Sequence, residues 1–349
     1  MAEPAVVTIR PDQTVKEAFE AAAAGSERLA VVVDADARVL GALTDGDIRR
    51  AALRGVAMDS AVGDLLSSAP LLCTTDQSDD EVREILRAHR LPAVAVVDAE
   101  RRLVGVRRMA DLDPEAVAAA VGVLMVGGRG ERLRPLTDKL PKPLLRIGGS
   151  AIVERLISSF RAAGVRDVYL TLNYMGSEFE ERLGDGRDLG VRLHYIRETE
   201  AMDTAGSLSL LEPPTTPVLV SNGDLVTTVD FAAMVDFHRY HGADLTVAGV
   251  EYAAQVPYGV LRTAEHHLLH IDEKPTLRQR VSAGMYVLQP EVLRYVPGDR
   301  PFKMTDLMDA LLRDGRTVTV FPLLERWSDI GTREEFERVL FEFAVEEDA

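Results

Sequence analysis

From Val121 onward, short apolar runs take turns with helical stretches, and this alternation constrains the fold more than any other feature of the chain. "VGVLMV" (121–126), "DVYLTLN" (167–173), "VRLHYIRE" (191–198) and "PVLVSNGDL" (217–225) read as strands. Between them "SAIVERLISSFRAAG" has helical spacing and stops at Gly164. "GSEFEERLGDG" is a helix halted by glycine, and "TAGSLSLLE" reads as another helix. Such a succession predicts an α/β layered fold with a Rossmann-like, mixed but mostly parallel sheet. Ligands of these folds sit beyond the carboxyl ends of the strands. The loop after "VGVLMV" is therefore the first candidate site.

The first third of the chain is organised differently. It repeats itself at an offset of 64: Asp12-Gln13 matches Asp76-Gln77, Val31–Asp34 matches Ala95–Asp98, Arg38 matches Arg102, Gly41 matches Gly105, and Asp47-Ile48 matches Asp111-Leu112. Each unit reads as a helix, a strand, a turn, a second strand and a second helix, an α+β pattern. Neither unit is long enough for a comfortable core of its own, so the two should pack as a pseudo-twofold pair. The repeats fall at about 4–57 and 58–113. The Ala-rich "DPEAVAAA" lacks strong periodicity and sets a linker at 114–120 between a 1–113 region and a 121–349 region.

The loop "VGGRGERLRPLTDKLPKPL" (126–144) is rich in glycine and positive charge. A dinucleotide fingerprint, G-x-G-x-x-G, fails because Leu133 stands where the third glycine belongs. A P-loop fails because no G-K-[ST] follows. Glycines let backbone N–H groups approach a phosphate closely. Residues 128–146 carry Arg129, Arg132, Arg134, Lys139, Lys142 and Arg146 against Glu131 and Asp138, a net +4 within a chain at -16. A basic loop set apart on an acidic protein suits a small polyanion, while the overall charge argues against nucleic acid or an anionic membrane as partner. One cysteine, Cys73, excludes an internal disulfide and fits a reducing compartment. The amino terminus lacks a basic start followed by a long apolar core, and no apolar run approaches the roughly 18 residues of a membrane span. The expectation is a cytoplasmic protein.

Two resemblances add to this. Residues 4–113, with "VVVDADARVLGALTDGDIRR", resemble a tandem of CBS domains. The resemblance implies an adenine or guanine nucleotide at Thr44 and Asp45, although Thr and Asp are also ordinary helix caps. The second unit departs, with Arg108 and Met109 at the equivalent positions. Residues 121–342 resemble the sugar-1-phosphate nucleotidyltransferases: after the glycine loop come "NGDL" (222–225), "PYGVL" (257–261), "DEKPT" (272–276), "AGMYVL" (283–288) and "WSDIGT" (327–332), in order. This implies Mg²⁺-dependent attack of a sugar-1-phosphate on the α-phosphorus of a nucleoside triphosphate. Gly127, Gly128, Gly130, Arg132 and Lys142 would bind the nucleotide. Arg132, Lys142 and Asp224 would be catalytic, and Asp224 and Asp329 would hold the metal. Gly259, Glu273, Lys274 and Gly284 would bind the sugar phosphate, and Tyr286 either joins them or packs.

Three letters depart from that family's pattern: Glu131 for a threonine, Ser282 for an asparagine and Asp203 for a glycine. A CBS pair ahead of such a domain resembles guanylyltransferases, which favours GTP, with CTP, dTTP, UTP and ATP as alternatives. It also implies a homo-oligomer. A nucleotide-binding sensor that has lost turnover is the competing class.

Overall fold

A computed structural model describes residues 6–25, 28–113 and 120–347, with side chains described through 342. The predicted linker at 114–120 lies outside the described residues except for Ala120. The first repeat comprises β1 (Thr8–Ile9), α1 (Val15–Ala24), β2 (Leu29–Val33), β3 (Val39–Thr44) and α2 (Asp45–Leu53). The second comprises β4 (Cys73–Thr74), α3 (Asp79–His89), β5 (Ala93–Val97), β6 (Leu103–Arg108) and α4 (Met109–Leu112). Each forms a three-stranded sheet in the order β1-β2-β3 or β4-β5-β6.

The 64-residue offset is visible in atomic detail. Thr14 and Glu17 form a capping box on α1, and Ser78 and Glu81 form the same box on α3. Asp34 and Asp98 each accept two backbone N–H bonds in the turn that follows β2 or β5. The units meet at an antiparallel bridge between Arg38 and Arg102, which are equivalent positions. Leu29, Val31, Val33, Val39, Ala95 and Val97 form the shared core there.

The larger region runs β7 (Val121–Met125), β8 (Arg146–Ile147), β9 (Ser150–Ala151), α5 (Ile152–Ala162), β10 (Asp167–Leu172), α6 (Gly176–Leu183) and β11 (Arg192–Arg197). It continues with α7 (Asp203–Gly206), β12 (Val218–Asn222), β13 (Leu225–Thr227), α8 (Phe231–His241), β14 (Leu245–Gln255), β15 (Val260–Ala264), β16 (His267–Asp272) and β17 (Thr276–Leu288). It closes with α9 (Met304–Arg313), β18 (Val318–Leu323), β19 (Trp327–Asp329) and α10 (Arg333–Glu347). Seven strands form one sheet in the order β11-β10-β7-β12-β17-β14-β18. β17 runs antiparallel to both its neighbours, and the other pairings are parallel.

Alternate residues of these strands feed two cores. Leu124 and Leu219 join Phe160, Phe231 and Phe321 on one face, and Val123 and Val220 join Leu293 and Leu311 on the other. The chain leaves β7 for β10 and β11 on one side, then returns to β12 on the other. This reversal opens a crevice beyond the carboxyl end of β7.

Two features differ from the expected layout. The "TAGSLSLLE" stretch is one turn of α7 followed by a 3₁₀ turn at Ser207–Leu210, not a full helix. Ala205 and Gly206 donate their N–H groups to Phe302 O (2.9 and 3.0 Å), which anchors the start of this segment to the loop ahead of α9. Beyond the sheet, β14 and β17 continue as an exposed ribbon (249–255 against 276–282) capped by the β15–β16 hairpin.

Candidate active site

The carboxyl ends of β7, β10, β11 and β12 and the loops beyond them converge on an open cavity of about 680 Å³. The glycine loop supplies Gly127, Gly128, Gly130 and Arg132. Asn173, Glu198 and Asn222 follow from or end β10, β11 and β12, and Lys142 and Asp224 stand at the wall. Gly130 has φ +60°, and a Cβ there would lie 3.0 Å from Thr137 and 3.2 Å from Lys142. Thr137 Oγ1 donates to Gly130 O (2.8 Å), fixing the loop's turn. A Cβ on Gly127 would press on Asn173, whereas one on Gly128 would meet nothing within 4 Å. Gly128 thus leaves open space over the backbone, as a phosphate cradle requires.

Lys142 is the centre of the charge arrangement. It sits in a 3₁₀ turn framed by Pro141 and Pro143 and is only 7% exposed. Its Nζ donates to Asp224 Oδ2 at 2.6 Å and lies 3.6 Å from Asp329 Oδ1. Two carboxylates 105 positions apart are thereby brought to one ammonium. The fold does this through a short ladder: β13 pairs antiparallel with β19, with Leu225 opposite Asp329. Gly223 lets the chain turn there, since a Cβ would stand 2.4 Å from Val126, and its N–H donates to Met125 O (2.9 Å). Burial pushes the Asp329 carboxyl above its ordinary value, and the Asp224 charge adds to this while Lys142 opposes it. The Arg132 guanidinium lies 3.3 Å from where a Cβ of Gly331 would be, so the glycine loop meets the "WSDIGT" loop.

The donor set fits a small hard cation. Mg²⁺ is usually held by one or two carboxylates together with substrate phosphates and waters. Among the described residues no cluster of three or more His, Cys, Asp or Glu forms a self-sufficient metal cage. A cation at Asp224 and Asp329 would take its remaining ligands from substrate and solvent.

The sugar-side residues are placed differently. Gly284, φ +73°, abuts Asn222 at the cavity's edge: a Cβ there would lie 2.6 Å from Asn222 Nδ2. Gly259, Glu273 and Lys274 lie in the connections between the ribbon and the β15–β16 hairpin and are not among the residues that line the cavity. Glu273 does sit over Gly259, 3.2 Å from its would-be Cβ. Tyr286 packs, buried in the core, with its hydroxyl against Ser282 (3.1 Å). Glu131, the unexpected carboxylate of the loop, is exposed and lies 4.0 Å from the exposed Arg129.

Sequence reasoning passed over Glu198, Asn173 and Asn222. Each stands at or just past the carboxyl end of a strand of the parallel run β11-β10-β7-β12, and that position is the signal that would have found them. Glu198 Oε2 accepts from Met202 N (3.2 Å) and Asn173 Nδ2 (3.4 Å), and Oε1 faces Gly127. Burial raises its pKa.

The amino-terminal site is engaged internally. Thr44 Oγ1 caps α2 through Asp47, and Asp45 accepts from Arg49 (2.7 Å). Both border a pocket whose other wall is α8, through Asp236, Phe237 and Tyr240.

Residues 121–344 match the family described as Nucleotidyl transferase, and residues 1–54 and 62–111 match the CBS domain. The chain belongs to the nucleotidyl transferase family and carries CBS domains ahead of the transferase region. The mannose-1-phosphate guanylyltransferase of Mycobacterium tuberculosis is 33% identical over 226 residues, 62% of this chain and 62% of that protein. The mannose-1-phosphate guanyltransferase of Emericella nidulans is 33% identical over 224 residues, 61% of each. The match therefore spans less than two thirds of these relatives' own length. A putative glucose-1-phosphate thymidylyltransferase from Bacillus anthracis shares the fold, with a TM-score of 0.53 and 23% identity over 64% of this chain and 95% of that one.

Proposed function

We propose that the protein transfers a nucleotidyl group from GTP to a sugar-1-phosphate of the mannose type, releasing pyrophosphate. The observation that carries this reading is Lys142 joined to Asp224 and Asp329 beside a glycine loop with open space over its backbone. Transfer at phosphorus needs positioning and charge neutralisation more than covalent help. Backbone N–H groups of Gly127–Gly130 cradle the triphosphate, and Arg132 offers forked donors to its oxygens. Lys142 neutralises charge gathering between the α-phosphoryl and the incoming sugar phosphate. Asp224 and Asp329 would hold a Mg²⁺ ion, which would supply further charge neutralisation at the triphosphate. The sugar-1-phosphate oxygen attacks the α-phosphorus in line, and the bond to the pyrophosphate oxygen breaks.

GTP as donor is supported by the names of the relatives and by Glu198. A half-buried carboxylate pairs best with two adjacent donors, and the guanine edge with N1–H and the 2-amino group supplies them. Uracil and thymine offer one such donor and adenine one amino group. Gly284 would admit the sugar to the cavity edge. Gly259, Glu273 and Lys274 would serve its hydroxyls and phosphate. A nucleotide at Thr44 and Asp45 would have to compete with the contacts those side chains already make.

The test is pyrophosphate release with Mg²⁺ across five nucleoside triphosphates and a panel of sugar-1-phosphates. GTP with mannose-1-phosphate or a close analogue should lead. No release with any pair, alongside tight nucleotide binding, would establish the inactive sensor instead.

A further inference from the structure

Two arginines of the first CBS unit form ion pairs with the transferase region, and both pairs engage segments adjoining the short ladder that carries the site's carboxylates. Arg49, on α2, is 1% exposed. Its Nε donates to Asp45 (2.7 Å), Nη2 to Glu325 Oε1 (2.6 Å), and Nη1 to Pro322 O (2.6 Å) and Glu325 Oε2 (3.1 Å). Its Cζ lies 4.1 Å from the centroid of the Phe321 ring and 5.0 Å from that of the Phe19 ring. Burial works against the charge, but Asp45 and Glu325 outweigh it and hold the guanidinium protonated. Glu325 occupies the turn that leads into β19 and so into Asp329. The second grip is Arg28, which pairs with Asp230 (3.0 Å) and Asp236 (2.8 Å). Asp230 follows β13, the strand that leaves Asp224, and caps α8.

The two grips are at the same end of the ladder. Thr227 pairs with Trp327 at the end near Asp230 and Glu325, while Leu225 pairs with Asp329 at the active-site end. Thr227 Oγ1 and Thr228 N both donate to Arg326 O, tying the gripped end together. Adhesion alone needs no buried ion triad, because apolar groups of similar size hold two surfaces at least as well. A guanidinium fork adds a fixed distance and direction.

We propose that Arg49 and Arg28 are positioning residues for the active site: from the CBS unit they set the far end of the β13–β19 ladder, and through it the placement of Asp224 and Asp329 for one divalent cation. The inference rests on the assignment of those two carboxylates to a cation. Trp327, the chain's sole tryptophan, lies on this ladder with its indole N–H on Ala283 O (2.9 Å), so it reports the ladder's placement without any catalysis.

The experiment compares full-length wild type, Arg49→Lys, Glu325→Gln, Arg28→Gln and Asp224→Asn. Mn²⁺ affinity is read by electron paramagnetic resonance on the complex with a GTP analogue that cannot be cleaved between its α- and β-phosphorus atoms, Trp327 emission in metal-free protein, and kcat and KM for GTP separately. Arg49→Lys keeps the charge and loses the fork, and Glu325→Gln keeps the shape. Both should weaken Mn²⁺ binding about tenfold, the scale of losing a group that orients a metal ligand. Both should also lower kcat, shift Trp327 emission and leave KM for GTP nearly unchanged. Arg28→Gln should do the same to a smaller extent. Folded Arg49→Lys and Glu325→Gln proteins with wild-type Mn²⁺ affinity, kcat and emission, even if less heat-stable, would overturn the inference and leave an adhesive contact. Wild-type protein that binds no Mn²⁺, or Asp224→Asn that binds it as well as wild type, would overturn the carboxylate assignment itself.

Discussion

Lys142 is the residue on which the site turns. Lysine is almost never buried unless paired, and here two carboxylates share its ammonium. Asp224→Asn should abolish nucleotidyl transfer and, by leaving buried Lys142 with Asp329 alone at 3.6 Å, lower the thermal midpoint without unfolding the protein, read by pyrophosphate release and calorimetry. Asp329 makes a pH prediction. Its raised pKa means the folded protein pays for ionising it, so the metal-free protein loses stability as pH rises through that value. Asp329→Asn should accordingly raise the metal-free midpoint near neutral pH while removing turnover. With Asp329 intact, proton and cation compete, so the acid limb of the rate should lie above the ordinary aspartate value of about 3.9 and move down with added Mg²⁺.

Other residues carry sharper readings than their sequence motif did. Asp203, where glycine is commoner in the family it resembles, has φ +62° at the cavity wall, with its carboxylate on Thr204 N (2.7 Å). The sequence shows the odd letter but not the backbone that explains it. Asp203→Gly should stabilise the fold by up to about 1 kcal/mol in denaturant titration, because glycine takes the left-handed region without strain. Glu198→Gln should lower kcat/KM for GTP by about 100-fold relative to the other triphosphates, since an amide presents one donor where guanine also donates.

At the scale of elements, the strands of the sheet and most helices were legible, because each keeps its own apolar period. β10, α6 and β11 lie within the stretches that the pattern marks out. What was not legible depended on contacts far along the chain. The α7 segment is anchored at its start by Phe302, almost a hundred residues on, and the ladder that joins Asp224 to Asp329 is two three-residue strands with no periodic signal. Helix α8 gives a further prediction. His238 is fully buried between Thr246 (2.9 Å) and Gln289 (3.1 Å), and burial lowers its pKa to about 4. It must stay neutral in the folded state, so stability is complete above the unfolded value near 6.5 and is lost as pH falls toward 4. The loss should be on the order of 3 kcal/mol. Denaturant titrations at pH 7 and pH 4.5 on wild type and His238→Gln would separate this residue's share from that of the carboxylates.

At the scale of the molecule, the repeat predicted a pseudo-twofold pair, and the Arg38–Arg102 bridge shows where its halves meet. The way the first unit presses on the transferase region was not legible. Arg28, Arg49, Asp230 and Glu325 carry no motif, and their pairing spans 202 and 276 positions. Nor did the sequence show that Gly259, Glu273 and Lys274 stand where an exposed ribbon joins its terminal hairpin, since strand length beyond a sheet has no local signature. If they serve the sugar phosphate, Lys274→Ala should raise KM for the sugar-1-phosphate at least tenfold and leave that for GTP unchanged.

The central claim is that the cradle of Gly127–Gly130, Arg132 and Lys142, with Asp224 and Asp329, breaks the triphosphate at its α-phosphorus in favour of a sugar-1-phosphate. The most direct measurement follows label from GTP carrying ³²P at the α position, incubated with Mg²⁺ and mannose-1-phosphate or a related sugar-1-phosphate. The label should move into a nucleotide-sugar, and only when the sugar-1-phosphate is present. Asp224→Asn should move none. Label that stays in GTP for every sugar-1-phosphate and every donor base, or that appears only as free guanosine phosphates, would contradict the account.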